Sequence, residues 1–326
     1  MRTPPLIKPD RLNPFDTVAL VAPASAPHDP ANIDRAVASL EGLGFKVKLG
    51  RNVRRRRGFL AGTDRERAGD VMKMFADPKV KAILCLRGGY GTGRLLSRLD
   101  YRSIRRNPKI FIGYSDITAL HCALLTQAGL VSFHGPMANS DLSKPPVAEF
   151  TVHGFRRTLM EPWAPGSICQ GLEHKVVTVL RRGKASGPLL GGNLSLLCTT
   201  MGTPYQPVFK GRILLLEDVD ELPFRFDRML THMLNAGVLQ EVAGIAVGIN
   251  ANCVERKKNE DGRPKKPEYR QTVEDVLRER LRPLGVPIVI GLPFGHIPEI
   301  ATLPLGAKAT LDANKGDLIV TEAAVM

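Results

Sequence analysis

The sequence predicts a two-domain α/β protein, with an N-terminal parallel-sheet domain of flavodoxin or Rossmann type and a C-terminal domain of mixed α/β structure. Its 326 residues suit two cores of about 150 residues each. In the first half, short apolar runs alternate with amphipathic stretches, which is the pattern of parallel strands covered by helices. We expect an N-terminal domain at 1–150, a connection at 151–175, and a C-terminal domain at 176–326.

Local patterns assign elements to each domain. Apolar runs predict strands at 17–24, 82–86 and 110–113, and helical spacing predicts helices over 33–43 and 64–75. Thr63, with Glu66 three residues later, forms a capping box that starts the second helix. In the C-terminal half we expect strands at 176–180, 212–218, 242–249 and 287–291, helices following the glycines of 191–197 and at 226–234 and 273–281, and a closing hairpin over 309–320.

Several classes of protein are excluded by composition. The longest apolar runs have strand length and fall far short of the ~20 residues of a membrane span. The first residues carry prolines and charges where a signal peptide needs a continuous apolar stretch. We therefore expect a cytoplasmic protein without a membrane partner. The five cysteines are widely spaced and form no C-x-x-C pair, so we expect no metal or other cofactor and no catalytic cysteine.

The net charge of +14 raises the question of a nucleic-acid partner. The basic clusters are short, at 54–57 and 255–270, and the second interleaves acids among its bases. Neither cluster lies beside an aromatic stacking platform or a helix-turn-helix pattern. A solvated surface is the favoured interpretation, and no nucleic-acid partner is expected.

A serine stands where a buried strand runs into a helix. The residues KIFIG lead directly to Ser115, and an apolar helix follows. Such a turn exposes a hydroxyl at the end of the sheet and directs the next amides toward it. The motif departs from the G-x-S-x-G pattern because Ile117 replaces the second glycine. Ser115 is therefore a candidate nucleophile, with a helix N-cap as the alternative role.

A glycine-rich turn, RGGYGTG at 87–93, follows the preceding strand. In a parallel sheet this position lies beside the Ser115 turn, where ligands of such sheets bind. The turn matches neither G-x-G-x-x-G nor a Walker loop. An oxyanion hole of backbone N–H groups is the favoured role, since glycine lets the main chain approach a reacting carbonyl. A phosphate cradle and a plain tight loop are the alternatives.

A nucleophilic serine needs a base and an acid that orients the base. Among the seven histidines, His296 lies in a proline-flanked loop after an apolar strand, which makes its position rigid. Glu217 closes the buried run RILLLE, where a carboxylate is costly unless it has a partner. A structural ion pair is the alternative, and Asp218 and Asp220 are the next candidates for the acid.

Six motifs in order give the chain its resemblance to a known family. These are FLAGTDRERAGDV, LRGGYGTGRLL, GYSDITALH, GPLLGGNLSLL, LLLEDVDELPFRFDRML and LPFGHIPEIATLPLGAKATLD. Together they resemble the successive motifs of the LD-carboxypeptidases, whose relatives include the microcin C self-immunity peptidases. The resemblance covers nearly the whole chain.

The resemblance implies roles for individual residues. Ser115 corresponds to the family nucleophile, Glu217 to the acid and His296 to the base of a Ser-Glu-His triad. The amide of Asp116 and one from the turn of Gly88 and Gly89 would form the oxyanion hole. Asn193 would line the substrate cleft. The site would then form between the domains, and family members are commonly homodimers.

The implied function is a serine carboxypeptidase that releases the terminal D-residue of a small peptide, the murein tetrapeptide, during cell-wall recycling. Hydrolysis of aminoacyl-nucleotide analogues, as in microcin C immunity, is the alternative. A catalytically idle binding protein is disfavoured because the Ser, Glu and His set is intact. The chain departs from the family pattern at 255–270, where a polar insertion is expected.

Overall fold

A computed structural model describes residues 4–144, 146–172, 176–254, 257–258, 264–265 and 271–326, and the side chains of 257–258 and 264–265 are not described. The chain has the α/β class predicted from its sequence and forms two large sheets. The predicted insertion at 255–270 lies mostly outside the described residues. Among the described helices, none has the length and apolarity needed to cross a membrane.

The first sheet contains five parallel strands from the N-terminal half. They are β1 (Thr17–Val21), β2 (Lys46–Leu49), β3 (Val80–Cys85), β4 (Ile110–Gly113) and β5 (Ser132–His134), and they lie in the order β5-β4-β3-β1-β2. β4 has the predicted bounds. β1 ends earlier than predicted, before Pro23, which cannot donate to a strand ladder.

Helices cover both faces of this sheet and bury an apolar cluster on each side. They are α1 (Ala31–Gly42), α2 (Asp64–Ala76), α3 (Tyr101–Arg106), α4 (Thr118–Ala123) and α5 (Glu149–Leu159). The capping box of α2 is confirmed, because the Thr63 hydroxyl accepts from the Glu66 amide and the Glu66 carboxylate accepts from the Thr63 amide. Shorter turns complete this half, of 3-10 type at Thr92–Arg94, Leu96–Arg98 and Ser115–Ile117 and of π type at Leu124–Ala128 and Ala138–Leu142.

The proline-containing stretch after residue 150 is not a bare connection. α5 runs from Glu149 to Leu159, and its Phe155 and Leu159 are buried in a core cluster of the first sheet. A short strand, β6 (Gly166–Ser167), follows. The helical content of this stretch was not predicted, and the domain boundaries at 150 and 176 remain predictions.

The second sheet is formed by the C-terminal half together with β6. The remaining elements of the chain are β7 (Thr178–Arg181), β8 (Lys184–Asn193), α6 (Leu194–Thr200), β9 (Ile213–Glu217), α7 (Pro223–Asn235), β10 (Gly244–Ile249), the pair β11 (Lys257–Lys258) and β12 (Pro264–Lys265), α8 (Val273–Leu281), β13 (Ile288–Gly295), β14 (Leu303–Leu305), β15 (Lys308–Asp312) and β16 (Asp317–Val320). Eight strands lie in the order β6-β16-β15-β8-β9-β10-β13-β7.

The centre of this second sheet is parallel and its borders are antiparallel. β8, β9, β10 and β13 run parallel to one another, whereas β15 and β16 form the predicted hairpin and β7 pairs antiparallel with β13. β11 and β12 pair only with each other in a separate two-stranded ladder. The antiparallel character expected for this half is confirmed.

A C-terminal strand joins the two halves of the chain. β14 pairs antiparallel with β5 at the edge of the first sheet, where Leu303 lies opposite His134. Nearby, the amide of Asn193 at the end of β8 donates to the Thr118 hydroxyl at 3.0 Å. These contacts bring the carboxyl ends of strands from both sheets toward one region.

Candidate active site

Ser115 occupies a strained backbone position at the end of β4. Its φ angle is +62°, a left-handed conformation that costs a non-glycine residue about 1–2 kcal/mol. The residue opens the 3-10 turn that leads into α4, and neither this turn nor α4 receives a side-chain capping bond at its start. The alternative role of Ser115 as an N-cap is therefore wrong. Strain of this kind concentrates at functional sites.

The glycine-rich turn packs directly against Ser115. A methyl group on Gly88 would lie 2.9 Å from Ser115 Cβ, 3.0 Å from Ser115 Oγ and 3.1 Å from the Asp116 amide nitrogen. Gly89 has a φ of +104°, and a methyl there would meet the Ser25 hydroxyl at 2.6 Å. Both positions require glycine, so this turn is more specialised than a plain loop.

Asp116 ties the two turns together. It is buried, and its Oδ2 accepts a hydrogen bond from the Thr92 amide at 2.9 Å, while the Thr92 hydroxyl donates to the Asp116 carbonyl. Burial raises the pKa of this carboxyl group, with the hydrogen bonds from Thr92 opposing the shift. The end of the glycine-rich turn is thereby fixed relative to the Ser115 turn.

Glu217 and His296 form a hydrogen-bonded pair at the ends of β9 and β13. His296 Nδ1 lies 2.8 Å from Glu217 Oε2, and the Glu217 side chain is fully buried while that of His296 is 20% exposed. Gly295 has a φ of +112°, and a methyl there would lie 3.3 Å from Glu217 Oε2. Glycine at 295 therefore lets the chain pass close to the carboxylate.

The pair shifts the titration of both groups. Burial alone would lower the pKa of His296, but the hydrogen bond and charge of Glu217, with the charges of Asp218 and Asp141, outweigh burial and raise that pKa above its ordinary value. Burial raises the pKa of Glu217, and the hydrogen bond to His296 opposes this. Glu217 Oε1 has no hydrogen-bond partner among the described residues, so His296 is the main compensation for this buried carboxylate.

Tyr114 connects this pair to the serine turn. Its ring contacts the His296 ring edge-on, with centroids 5.0 Å apart, and Tyr114 immediately precedes Ser115. The structure thus brings the residue next to Ser115 into contact with His296. The Tyr114 hydroxyl also lies 3.3 Å from Asp141 Oδ1, and burial raises the pKa of Asp141 to about 6. Tyr114 and Asp141 both line a cavity of about 450 Å³ beside His296.

Asn193 pairs with Glu217 across the β8–β9 ladder and is hydrogen-bonded to Asp218. The Asn193 amide oxygen accepts from the Leu196 amide and its nitrogen donates to Asp218 Oδ1 at 2.9 Å. Asp218 also accepts from the amide and hydroxyl of Ser195 and from the Val219 amide. Because its oxygens already have these donors, Asp218 is a weaker candidate than Glu217 for the orienting acid.

Two histidines beneath the site were not singled out by sequence reasoning. His121 Nε2 lies 2.8 Å from the Gly113 carbonyl and Nδ1 lies 2.8 Å from the Ser132 hydroxyl, and burial lowers its pKa to about 4. The neutral ring therefore holds the end of β4 just before the serine. His134 is buried between the rings of Tyr114 and Phe294, and burial lowers its pKa to about 3. The sequence signal for these two residues was their position, since His121 lies on α4 shortly after Ser115 and His134 ends β5.

Family models assign both halves of the chain. The LD-carboxypeptidase N-terminal domain matches residues 18–135, and the LD-carboxypeptidase C-terminal domain matches residues 186–311. The chain is therefore a peptidase, and so a hydrolase. A probable murein peptide carboxypeptidase of Bacillus subtilis is 42% identical over 313 residues, which cover 96% of this chain and 94% of the relative. The chain belongs to the LD-carboxypeptidase family.

Further relatives include both murein peptide carboxypeptidases and microcin C self-immunity proteins. The murein tetrapeptide carboxypeptidase of Pseudomonas aeruginosa is 32% identical, covering 91% of this chain and 94% of its own. Among solved structures, the microcin C7 self-immunity protein superposes with a TM-score of 0.86 at 25% identity, covering 98% of this chain and all of the other. The two-domain fold is thus shared with a solved relative, and carboxypeptidase function is supported.

Proposed function

We propose that the protein is a serine carboxypeptidase that cleaves the bond between an L-centre and a terminal D-amino acid of a small peptide. The observation that carries this proposal is the hydrogen bond of 2.8 Å between His296 Nδ1 and the buried Glu217 carboxylate. Tyr114, next to Ser115, contacts the same imidazole. A nucleophile, a base and an orienting acid are the parts that acyl transfer requires.

In this mechanism His296 accepts the Ser115 proton through Nε2, because Nδ1 is held by Glu217. The Ser115 oxygen attacks the scissile carbonyl, and the Asp116 amide with one from Gly88 or Gly89 stabilises the oxyanion. His296 then protonates the leaving amine as the C–N bond breaks. Water hydrolyses the acyl-enzyme by the same route in reverse, and Ser115 regains its proton.

Glu217 would fix the imidazole tautomer and stabilise its charged form. The direction of the His296 pKa, raised by Glu217 against the effect of burial, supports this role. Asn193 was expected to line the substrate cleft. Its amide is engaged with Leu196 and Asp218, which favours a role in holding the end of β8 beside Glu217, and substrate contact by Asn193 remains a prediction.

The murein tetrapeptide is the substrate that the relatives favour, with D-alanine released in the cytoplasm and the protein acting as a homodimer. The murein peptide carboxypeptidases are 42% and 32% identical to this chain. Hydrolysis of an aminoacyl-nucleotide is the second candidate. It is favoured by the structural similarity to the microcin C7 self-immunity protein, whose complex with aspartyl sulfamoyl adenosine superposes with a TM-score of 0.86.

A substrate comparison tests this proposal. Wild type and Ser115→Ala are incubated with murein tetrapeptide and with a processed microcin analogue, and the products are identified by mass spectrometry. We expect wild type to release D-alanine from the tetrapeptide and the variant to release none. Consumption of the nucleotide analogue alone would establish the second candidate, and equal turnover by Ser115→Ala would remove Ser115 from the mechanism.

A further inference from the structure

Two arginines beside the glycine-rich turn have no carboxylate within ion-pair distance in the part of the chain that the structure describes. Arg87 is half-buried, and its guanidinium donates to the Ala26 carbonyl at 3.4 Å. Arg56 donates to the Pro27 carbonyl at 2.8 Å. Burial and, secondarily, the charge of Arg56 lower the pKa of Arg87. A half-buried cation with no carboxylate partner among the described residues is costly unless a ligand supplies an anion.

The Arg87 guanidinium lies close to the serine turn. A methyl on Gly89 would lie 3.4 Å from Arg87 Nη2, and one on the adjacent Gly88 would lie 3.0 Å from Ser115 Oγ. Two neighbouring glycines therefore separate the cation from the candidate nucleophile. Arg87 and Ser115 therefore flank the same pair of glycines.

An exposed aromatic pair borders the same turn. Phe59 and Tyr90 are 64% and 54% exposed, and their rings meet edge-to-face with centroids 5.4 Å apart. Tyr90 belongs to the glycine-rich turn, where its amide donates to the Ser25 hydroxyl at 3.2 Å. The pair gives this turn an exposed apolar surface on which the rest of a ligand can pack.

The cavity beside His296 is less suited to binding an anion than the surroundings of Arg87. It lies beside His296 and contains both Lys144 and Asp141, and the charge of Lys144 lowers the pKa of Asp141, which burial otherwise raises. The two charges offset each other there. Uncompensated positive charge is found instead at Arg87 and Arg56.

We propose that Arg87, assisted by Arg56, binds an anionic group of the substrate, a carboxylate or a phosphate, beside the scissile bond. This inference rests on the proposed function of the same site. A planar guanidinium binds a carboxylate or a phosphate through two parallel hydrogen bonds. In a peptide this anionic group is the terminal carboxylate. In an aminoacyl-nucleotide it is the phosphate joined to the acyl group.

Matched substrates and variants test this site. The substrates are a peptide ending in free D-alanine, the same peptide as its C-terminal amide, and an aminoacyl-nucleotide with a phosphoramidate link, paired with a phosphate-free aminoacyl amide. The variants are Arg87→Met and the control Arg54→Met, which removes the same charge from an exposed arginine already paired with Asp34. Thermal unfolding checks each fold, and Arg87→Lys keeps the charge but loses the planar fork.

We expect Arg87→Met to lower kcat/KM roughly 10- to 100-fold on the anionic substrate, as loss of a charged hydrogen bond does, and to spare its neutral partner. Loss confined to the free peptide identifies the carboxylate, and loss confined to the phosphoramidate identifies the phosphate. Equal losses on anionic and neutral partners, or a result like that of Arg54→Met, would overturn the proposal.

Binding separates this proposal from the proposed function. Calorimetry with Ser115→Ala and with Ser115→Ala/Arg87→Met measures the affinity for the anionic and neutral member of each pair without turnover. A preference for the anionic member that disappears with Arg87 supports the site even if wild type hydrolyses none of these substrates. No preference in either protein contradicts the site even if wild type is active.

Discussion

The two sides of the candidate active site are built by different physical means. On the serine side, geometry comes from the backbone, with Ser115 at a φ of +62° and Gly88 in close contact with it. On the acid–base side, geometry comes from a buried charge, since the fully buried Glu217 is hydrogen-bonded to His296. Steric changes should therefore disrupt the first side, and changes of charge or pH the second.

A comparison of buried histidines shows what the carboxylate contributes. His296 follows β13 and His134 ends β5, and both rings contact Tyr114. Burial lowers the pKa of His134 to about 3, whereas at His296 burial is outweighed by the hydrogen bond and charge of Glu217 together with the charges of Asp218 and Asp141. His134 has no hydrogen-bond partner among the described residues, so the carboxylate partner distinguishes the two imidazoles.

The largest effect is expected from removal of the nucleophile. Ser115→Ala should fold normally and reduce kcat by about a million-fold, because a catalytic triad acts as a unit. Peptide hydrolysis followed by mass spectrometry measures the loss, and circular dichroism checks the fold. A variant within tenfold of wild type would rule out Ser115 as the nucleophile.

A methyl group on the serine side should give a smaller effect than loss of the nucleophile. Gly88→Ala places a carbon 2.9 Å from Ser115 Cβ, so the Ser115 turn must shift, and we expect kcat to fall about 100- to 1000-fold, as when an oxyanion donor is lost. Gly69→Ala is the matched control, because a methyl at that position on α2 has open space around it. Activity of Gly88→Ala equal to that of Gly69→Ala would contradict the close-contact model.

Charge on the other side should set the pH dependence. His296 must be neutral to accept a proton, so kcat/KM should rise with pH through its pKa, and Glu217 raises that pKa. Glu217→Gln should therefore move the acid limb of the residual activity to lower pH. Glu299→Gln, which alters an exposed acid in the same loop, should leave the limb in place. An unmoved limb in Glu217→Gln would show that another group titrates.

Chelation should have the smallest effect. Within the described residues, no group of three or more His, Cys, Asp and Glu side chains could hold a metal ion, and the proposed mechanism routes no step through one. Dialysis against EDTA should therefore leave kcat unchanged. Loss of activity that added zinc restores would contradict this.

The three candidate catalytic residues could be predicted because each ends an apolar strand. Ser115, Glu217 and His296 follow or close β4, β9 and β13, and burial of those strands makes a polar residue at the end conspicuous. α5 was missed because its neighbouring prolines suggested irregular structure. In the structure Pro146 and Pro162 bracket this helix rather than interrupt it.

The long-range contacts of the site could not be predicted. The pairing of β14 with β5 joins segments far apart in sequence, and such pairing leaves no local periodicity to read. The contact of Tyr114 with His296 and the hydrogen bond of His121 to Gly113 likewise depend on how the strands are placed. Sequence therefore indicated the candidate reacting groups but not the residues that position them.

The most direct test of the account is a double-mutant cycle on the acid–base side. Measurement of kcat/KM for wild type, Glu217→Gln, His296→Ala and the double variant shows whether the pair acts as one unit. We expect Glu217→Gln alone to reduce kcat by about four orders of magnitude with KM little changed, as neutralisation of a triad acid does. The double variant should then be little worse than His296→Ala. Losses that multiply would show that Glu217 does not orient His296.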